Sequence, residues 1–245
     1  MFENIGEIFL LFWRTLLALP FAWRQRRKVL DQFYEIGNAS LLMVCVLSFF
    51  IGAVIALQTG PVLVERSLSN AVGGVVGIAI AKELAPVMMA ILIAGRIGSA
   101  MAAEIGSMRV YQEIDALRTM NINPIHYLVL PRMLAITVAL PMLVVSAILV
   151  GWFGGAVVAN YNAHMEIPFR AFYSDLRDIV ELKDVANGVF KSLCFAIIIG
   201  AVSCHQGLNT IGGPRGIGRS VTKAVVNSIV CIVIFDYVLT RFLLK

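Results

Sequence analysis

Charged side chains are scarce in this sequence. Only 14% of its 245 residues are charged and 59% are hydrophobic, whereas an ordinary soluble domain has about 25% charged residues. The scarcity excludes a typical soluble domain and predicts an all-α, polytopic membrane protein. The length allows one membrane domain over 1–245 and leaves no room for a separate soluble catalytic domain.

Residues that build metal or redox centres are also few and scattered. The three histidines are far apart, and the four cysteines lie in or beside apolar runs without CxxC spacing. We therefore predict no metal site and no cofactor, and we expect the cysteines to be small buried hydrophobic residues: Cys45, Cys194, Cys204 and Cys231. No cluster of His, Asp or Ser supplies a nucleophile and a base, which argues against a membrane-embedded lipid enzyme.

The N-terminal segment lacks the order of a cleaved signal peptide, in which positive charge precedes the apolar stretch. Here two glutamates come first and the basic residues follow the apolar part. Large apolar residues recur at helical spacing over 2–17, so region 1–36 is predicted to hold an amphipathic helix lying in the membrane interface. Trp13 and Trp23 would then lie at headgroup depth. A weakly hydrophobic first span is the alternative.

Five apolar stretches are long enough to cross a bilayer, which takes about 20 residues. They make region 37–245 a five-span membrane domain, with spans predicted at 40–57, 71–103, 128–159, 189–202 with its flanks, and 221–244. An odd number of spans argues against two matched inverted halves of the transporter type. It also places the two ends of the domain on opposite sides of the membrane.

The distribution of basic residues predicts the orientation. Lysine and arginine are concentrated before span one, between spans two and three, and between spans four and five, whereas loop 160–187 carries five acidic residues. By the positive-inside rule, the N-terminus is cytoplasmic and the C-terminus periplasmic. The sequence leaves open whether the acidic loop forms an outer interfacial helix or a solvated connection.

The second apolar stretch contains ionisable residues. Lys82 and Glu83 precede a helix-breaking Pro86, and Arg96 and Glu104 follow. Placing an ionisable side chain at membrane depth costs roughly 2.5 kcal/mol or more of free energy. The presence of such a residue therefore suggests that it has a function. Lys82 and Glu83 either face a cavity, or they pair with each other or with neighbouring helices and fix the packing. Arg96 and Glu104 are expected to have structural roles near the cytoplasmic end of the span.

The segment between spans two and three is amphipathic. A helix is predicted over 108–120. It carries apolar residues on one side: Val110, Ile114 and Leu117. Its charged residues lie largely elsewhere on the helix: Arg109, Glu113, Asp115 and Arg118. The asparagines and proline of 121–124 end it. Such a helix suits the groove of a partner protein or lies on the membrane surface, and the pattern alone leaves both open.

Four blocks of this region follow one another at close spacing: KELAP at 82–86, AGRIGS at 94–99, AEIG at 103–106 and EIDAL at 113–117. Together they resemble the signature of the MlaE/YrbE permease family, and the resemblance extends over most of the chain. It implies the membrane subunit of an ATP-binding-cassette (ABC) machine that moves phospholipid between the inner and outer membranes of bacteria and supports lipid asymmetry. Such permeases are homodimers in the inner membrane.

The resemblance also implies partners. Each protomer docks a cytoplasmic ATPase through the helix between spans two and three, so ATP is bound by that subunit and not by this chain. The candidate coupling residues are Arg109, Glu113, Ile114, Asp115, Leu117 and Arg118. A ring of MCE-domain protein binds on the outer side, and some systems add a small cytoplasmic STAS-domain subunit.

The lipid cavity of this family lies at the dimer centre and is lined mainly by the first two spans. The candidate lining residues are Leu57, Ile78, Lys82, Glu83, Leu84 and Met88. A phospholipid offers a phosphate and two acyl chains, which suits one or two polar residues among apolar walls. The family often has Arg-Glu where this chain has Lys82-Glu83, so positive charge is kept without the bidentate guanidinium.

A glycine-rich segment, 213–220, has the spacing of a phosphate-binding loop. However, Arg219 occupies the lysine position and Pro214 removes one of the amides that such a loop uses. We predict that this segment is a loop that does not bind nucleotide and that contacts the ATPase or lipid headgroups through Arg215 and Arg219.

Two other functions stay open. An ion-coupled secondary carrier would use Glu83, Glu104 or Asp236 as a proton site. A membrane scaffold would anchor an outer lipid-binding ring without moving lipid itself.

Overall fold

The computed structural model describes residues 2–18, 20–21, 25–162 and 165–243, and within these ranges the chain is helical with no strand. The expectation of an all-α polytopic membrane protein is confirmed. Trp23 and the predicted end of the last span at residue 244 lie outside the described residues.

The α-helices are labelled in chain order. They are α1 (Phe2–Leu17), α2 (Arg26–Glu65), α3 (Val72–Ala79), α4 (Ala85–Ile93), α5 (Ser99–Val110), α6 (Glu113–Thr119), α7 (Leu130–Tyr161), α8 (Phe169–Ile179), α9 (Leu182–Leu208) and α10 (Gly213–Leu243). Three π-helical segments interrupt or extend them: Ile80–Leu84 joins α3 to α4, Ala94–Gly98 joins α4 to α5, and Ile125–Val129 leads into α7.

Five helical stretches are long and apolar enough to cross a membrane. They are Arg26–Glu65, Ser69–Val110, Ile125–Tyr161, Leu182–Leu208 and Gly213–Leu243. The prediction of five spans is confirmed, although each helix is longer than its apolar core because it continues into polar residues. The first of them begins at Arg26 rather than near residue 40, so part of the basic N-terminal segment belongs to it.

Two amphipathic helices accompany the spans. In α1, Phe9, Trp13 and Leu16 are exposed and form an apolar face. In α8, Phe172 and Leu176 are buried while most of the polar residues face outward. The acidic loop that the sequence left open therefore contains a helix, Phe169–Ile179.

The chain divides into two compact units, which are described separately. Unit 1 comprises Met1–Asn38, Ala90–Leu140 and Leu193–Lys245, and unit 2 comprises Ala39–Met89 and Pro141–Ser192. The prediction of one permease domain over 1–245 stays a prediction.

In unit 2, glycines bring the backbones of α2 and α7 into contact. A Cβ added at Gly52 would overlap the carbonyl group of Gly151, and one added at Gly154 would overlap the carbonyl group of Phe49. Small residues allow this close approach between membrane helices. A glycine also allows α8 to pack closely, since a Cβ at Gly73 would overlap the backbone of α8.

Unit 1 is built around a buried apolar cluster to which α1, α5, α6, α7 and α9 contribute. Its members are Leu11, Ile105, Ile114, Leu128, Val129, Met133, Ala201 and Cys204. Ile114 is completely buried and so anchors the short helix α6 to the longer ones. Cys204 is fully buried in this cluster, as expected of a small hydrophobic residue, whereas Cys45, Cys194 and Cys231 are only partly buried, so the expectation of four buried cysteines is wrong for these three.

Candidate functional site

Three ionisable residues of the second span lie in π-helical turns. Lys82 and Glu83 belong to Ile80–Leu84, and Arg96 belongs to Ala94–Gly98. Pro86 explains the first of these turns, because it lacks the N–H that an α-helix would donate to the carbonyl oxygen of Lys82. Wide turns of this kind occur frequently at functional sites.

Lys82 forms an ion pair with a residue of α9. Its Nζ lies 2.8 Å from Oδ1 of Asp184, and the side chains are 31% and 10% exposed. The second carboxylate oxygen of Asp184 accepts the Glu181 N–H at 3.2 Å, as the third residue of a helix does in half of a capping box. Asp184 therefore caps the N-terminus of α9 and also forms the ion pair with Lys82.

Glu83 forms a second ion pair with the same helix. Its Oε2 lies 2.8 Å from Nζ of Lys191, and Lys191 is only 3% exposed whereas Glu83 is 41% exposed. Asp184 and Lys191 are seven residues apart, about two helical turns, and so lie on one face of α9. Gly188 lies between them on that face, where a Cβ would overlap the carbonyl oxygen of Ala81.

Sequence reasoning missed both partners on α9. Asp184 was assigned to the acidic loop and Lys191 was not singled out, although the spacing of two opposite charges around a glycine was visible. Lys82 and Glu83 were expected either to face a cavity or to form pairs that fix the packing, and the structure shows pairing with a neighbouring helix. Both side chains nevertheless keep exposed surface, so each is anchored by a buried partner and still accessible.

The remaining candidates for the lipid cavity also belong to unit 2. Leu57 and Met88 are exposed, and Ile78 and Leu84 are half-buried. Apolar side chains at the surface of an isolated protomer suit contact with lipid or a second copy. Their role in a cavity stays a prediction.

The predicted helix over 108–120 is interrupted. The second span ends at Val110, and Tyr111 and Gln112 form a turn in which Gln112 has a left-handed φ of 63°. The separate helix α6 then runs from Glu113 to Thr119. Residues 108–110 therefore belong to the span, and the coupling element is shorter than the sequence pattern suggested.

Charged residues fix α6 to the end of the second span. Oδ1 of Asp115 accepts hydrogen bonds from Arg109 at 2.8 Å and from Arg118 at 3.3 Å. Ile114 is buried and Leu117 packs against the apolar cluster. The candidate coupling residues thus divide into those that hold the helix in place and Glu113, which is exposed.

The two charges that were expected to be structural differ in their surroundings. Glu104 accepts a hydrogen bond from Arg132 at 2.8 Å, which links the second span to α7. Arg96 is exposed, and its carbonyl oxygen accepts the Ser99 hydroxyl at 2.8 Å.

The glycine-rich segment 213–220 is helical and forms the first turns of α10. The prediction that it is a loop is therefore wrong. Arg215 and Arg219 are exposed on the helix surface. Among the described residues, no group of three His, Cys, Asp or Glu side chains is placed to hold a metal ion.

Comparison with known proteins adds independent observations. The family model described as Permease MlaE matches residues 29–242. A probable ABC transporter permease protein of Rickettsia typhi is 37% identical over 217 residues, which cover 89% of this chain and 83% of that protein. A probable ABC transporter permease protein of Synechocystis is 36% identical over 239 residues, covering 98% and 90%.

A plant protein is similar over nearly the same length. The chloroplastic protein TRIGALACTOSYLDIACYLGLYCEROL 1 of Arabidopsis thaliana is 36% identical over 218 residues, which cover 88% of this chain and 61% of that protein. The region that the family model matches, residues 29–242, includes nearly all of the five spans, α6 and the paired charges of unit 2.

Proposed function

The chain belongs to the MlaE permease family and is a membrane permease subunit of an ABC transporter, and we propose that its complex moves phospholipid between bacterial membranes. In this proposal the permease is a homodimer of the inner membrane with a central lipid cavity. Its N-terminus is cytoplasmic and its C-terminus periplasmic. The ATPase partner binds and hydrolyses ATP, an MCE-domain ring receives or delivers lipid outside, and a STAS-domain subunit is optional.

The proposal that the complex is driven by ATP rests on the way α6 is attached to the rest of unit 1. Ile114 is buried in the apolar cluster, and Asp115 is bonded to Arg109 at the end of the second span. The opposite surface, with Glu113 and Ala116, is exposed. A short helix held rigidly at the end of a span passes movement of a docked partner to that span, as expected of a coupling helix.

The phospholipid part rests on unit 2. Lys82 offers an ammonium group next to exposed apolar surface, and Asp184 holds it in place. A phosphate diester that approaches Lys82 would share or replace the carboxylate of Asp184, since both are anions that accept from an ammonium. Met88 and Leu57 would face the acyl chains.

The test uses the complex that copurifies in mild detergent, reconstituted in vesicles. The double variant Glu113→Lys with Ala116→Arg changes only the exposed surface of α6. We expect ATPase association to fall at least tenfold and ATP-driven transfer of a fluorescent phospholipid to be lost. Asp178→Lys, a charge reversal at an exposed position of α8, is the control and should leave ATPase association unchanged.

Asp115 is left unaltered in this test because its reversal would also release Arg109 and Arg118 and disturb α6 itself. Survival of both association and transport in the double variant would refute the docking surface. Transport by the chain alone, driven by a pH gradient and indifferent to ATP, would replace the proposal with an ion-coupled carrier. ATPase association without any lipid transfer in the parent complex would favour a scaffold.

A further inference from the structure

Unit 1 contains a cavity of about 770 Å³ that none of the proposed transport steps uses. One face of α1 lines it, with Glu7, Leu10, Arg14 and Leu17 at helical spacing. The segment from Asn123 to His126, the end of α9 and two arginines of the coupling region line the rest. The cavity therefore joins the amphipathic N-terminal helix to the region of α6.

The cavity has an excess of positive charge. Arg14, Arg109 and Arg118 line it, and the last two share the single carboxylate of Asp115. Because Arg109 and Arg118 share one carboxylate, one of their two positive charges is not neutralised. The side chain of Arg14, which is exposed, makes no ion pair or hydrogen bond with a described residue, so its charge is also available.

The one carboxylate that lines the cavity is engaged elsewhere. Oε2 of Glu7 lies 2.9 Å from Nε2 of His205 and accepts from Asn209 at 3.4 Å. His205 is buried, and it fixes Glu7 at the α9 side of the cavity. Arg14 is seven residues further along α1, about 10 Å away along the helix axis. Glu7 therefore does not neutralise Arg14.

The rest of the lining is apolar and borders the surface that α1 presents to lipid. Leu10, Leu17 and Ile125 line the cavity. Phe9 and Trp13 on the adjoining face of α1 are exposed, as in helices that lie in the headgroup region. A ligand here would meet both guanidinium groups and hydrocarbon.

We infer that this cavity binds a phosphate ester anion, held by Arg14 together with Arg118. Guanidinium groups bind phosphate oxygens in pairs of parallel hydrogen bonds, which a lone ammonium does not. The apolar lining makes an anionic phospholipid of the adjacent leaflet the better source than a soluble phosphate ester. Bound there, the headgroup would bridge α1 and α6, so that lipid composition acts on the helix proposed to dock the ATPase.

This inference goes beyond the proposed function, because headgroup binding in unit 1 requires neither transport nor ATP. The experiment is photo-cross-linking of the purified chain in a neutral detergent with phosphatidylglycerol that carries a photoreactive headgroup. Labelled peptides are then identified by mass spectrometry. Labelling of α1 and of the peptide that contains His126 reports this cavity, whereas labelling near Lys82 reports the proposed transport cavity separately.

Arg14→Gln is the test variant, since Arg14 is exposed and its loss removes charge without altering a buried contact. Loss of one charge-assisted contact corresponds to about a tenfold loss of affinity, and labelling of α1 at low probe concentration should fall accordingly. Arg27→Gln, which removes an exposed arginine outside the cavity lining, is the control and should label like the parent. Labelling near Lys82 should stay unchanged in both variants.

Two further arms identify the ligand. A diacylglycerol probe with the same photoreactive group but no phosphate should label α1 at least several-fold less. Glycerol 3-phosphate in millimolar excess should not compete, and competition by it would support the phosphate site while assigning it to a soluble ester. Equal labelling by parent and Arg14→Gln, or by the phosphate-free probe, would overturn the inference.

Discussion

Both units of this permease contain ion pairs, but they hold them in different ways. In unit 2, Lys82 and Glu83 each have a partner on one face of α9, and those partners, Asp184 and Lys191, are buried. In unit 1, Asp115 is shared by two arginines and is itself 49% exposed. The charges of unit 2 are fixed by packing, whereas Asp115 and its two arginines in unit 1 lie where water, lipid or protein can reach them.

The difference shows that the surroundings of a charge, and not its residue type, indicate its role. A buried ion pair is costly to break because one charge is left without its partner in a poorly solvated place. An exposed pair contributes about 0–1 kcal/mol and exchanges partners easily. Unit 2 is therefore suited to hold a charged site in a constant geometry, and unit 1 to bind and release partners.

The largest expected effect tests whether unit 2 depends on backbone contact between helices. Gly52→Ala places a Cβ against the Gly151 carbonyl group, which is backbone and cannot rotate away. We expect a loss of more than about 4 kcal/mol, enough to abolish folded protein. The measurement is the yield of monodisperse protein in size-exclusion chromatography, followed by thermal unfolding.

Gly95→Ala in unit 1 is the matched control, since a Cβ at Gly95 meets nothing within 4 Å. Alanine also favours a helix over glycine by about 0.5–1 kcal/mol, so this variant should fold at least as well as the parent. Similar behaviour of the two variants would remove the distinction between the units.

The second prediction compares a carboxylate of each unit. Glu83→Gln deprives Lys191, which is 3% exposed, of its carboxylate partner. Because Glu83 is itself partly exposed, we expect a loss of about 2 kcal/mol, below the full range for buried pairs. Asp115→Asn in unit 1 neutralises a side chain that is 49% exposed and whose partners Arg109 and Arg118 are 34% and 60% exposed, and should cost about 1 kcal/mol or less. Thermal unfolding of both variants measures the difference.

The reversed pair, Glu83→Lys with Lys191→Glu, tests whether charge pairing is the cause. It keeps both charges in contact and should recover most of the stability lost in Glu83→Gln. If Asp115→Asn is the more destabilising of the two single variants, the contrast between buried and exposed pairs is wrong.

The sequence predicted the features that depend on composition and local pattern. Long apolar runs gave the five spans, and four short blocks gave the family, because both signals are contained in neighbouring residues. Helix ends were less accurate, as at Arg26, since polar residues continue a helix beyond its hydrocarbon-spanning part.

The partners of the charged residues were not predictable from the sequence. Glu83 and Lys191 are 108 residues apart, and only the packing of Gly188 against Ala81 brings α9 close enough for the pair. The break at Gln112 depends on a left-handed residue without the usual glycine. The proposed lipid site of unit 1 was not predictable either, because its cavity is formed by four separate parts of the chain.

The smallest expected effect concerns pH and a carboxyl group of unit 2 outside the spans. Asp175 of α8 packs beside Gly73, and its Oδ2 is buried without a hydrogen-bond partner among the described residues. Burial, and secondarily the nearby charge of Asp178, raises the pKa of Asp175 above its ordinary value of 3.8.

A raised pKa means that the folded state binds this proton more tightly than the unfolded state does, so Asp175 lowers stability as pH rises through its folded pKa. Asp175→Asn should therefore raise the unfolding temperature at pH 8 slightly, and the gain should shrink as pH falls toward 4.5. Glu166→Gln, which neutralises an exposed acid shortly before α8, should show no such trend. A gain for Asp175→Asn that is equal at both pH values would mean that the amide improves packing and that unit 2 tolerates this buried charge without cost.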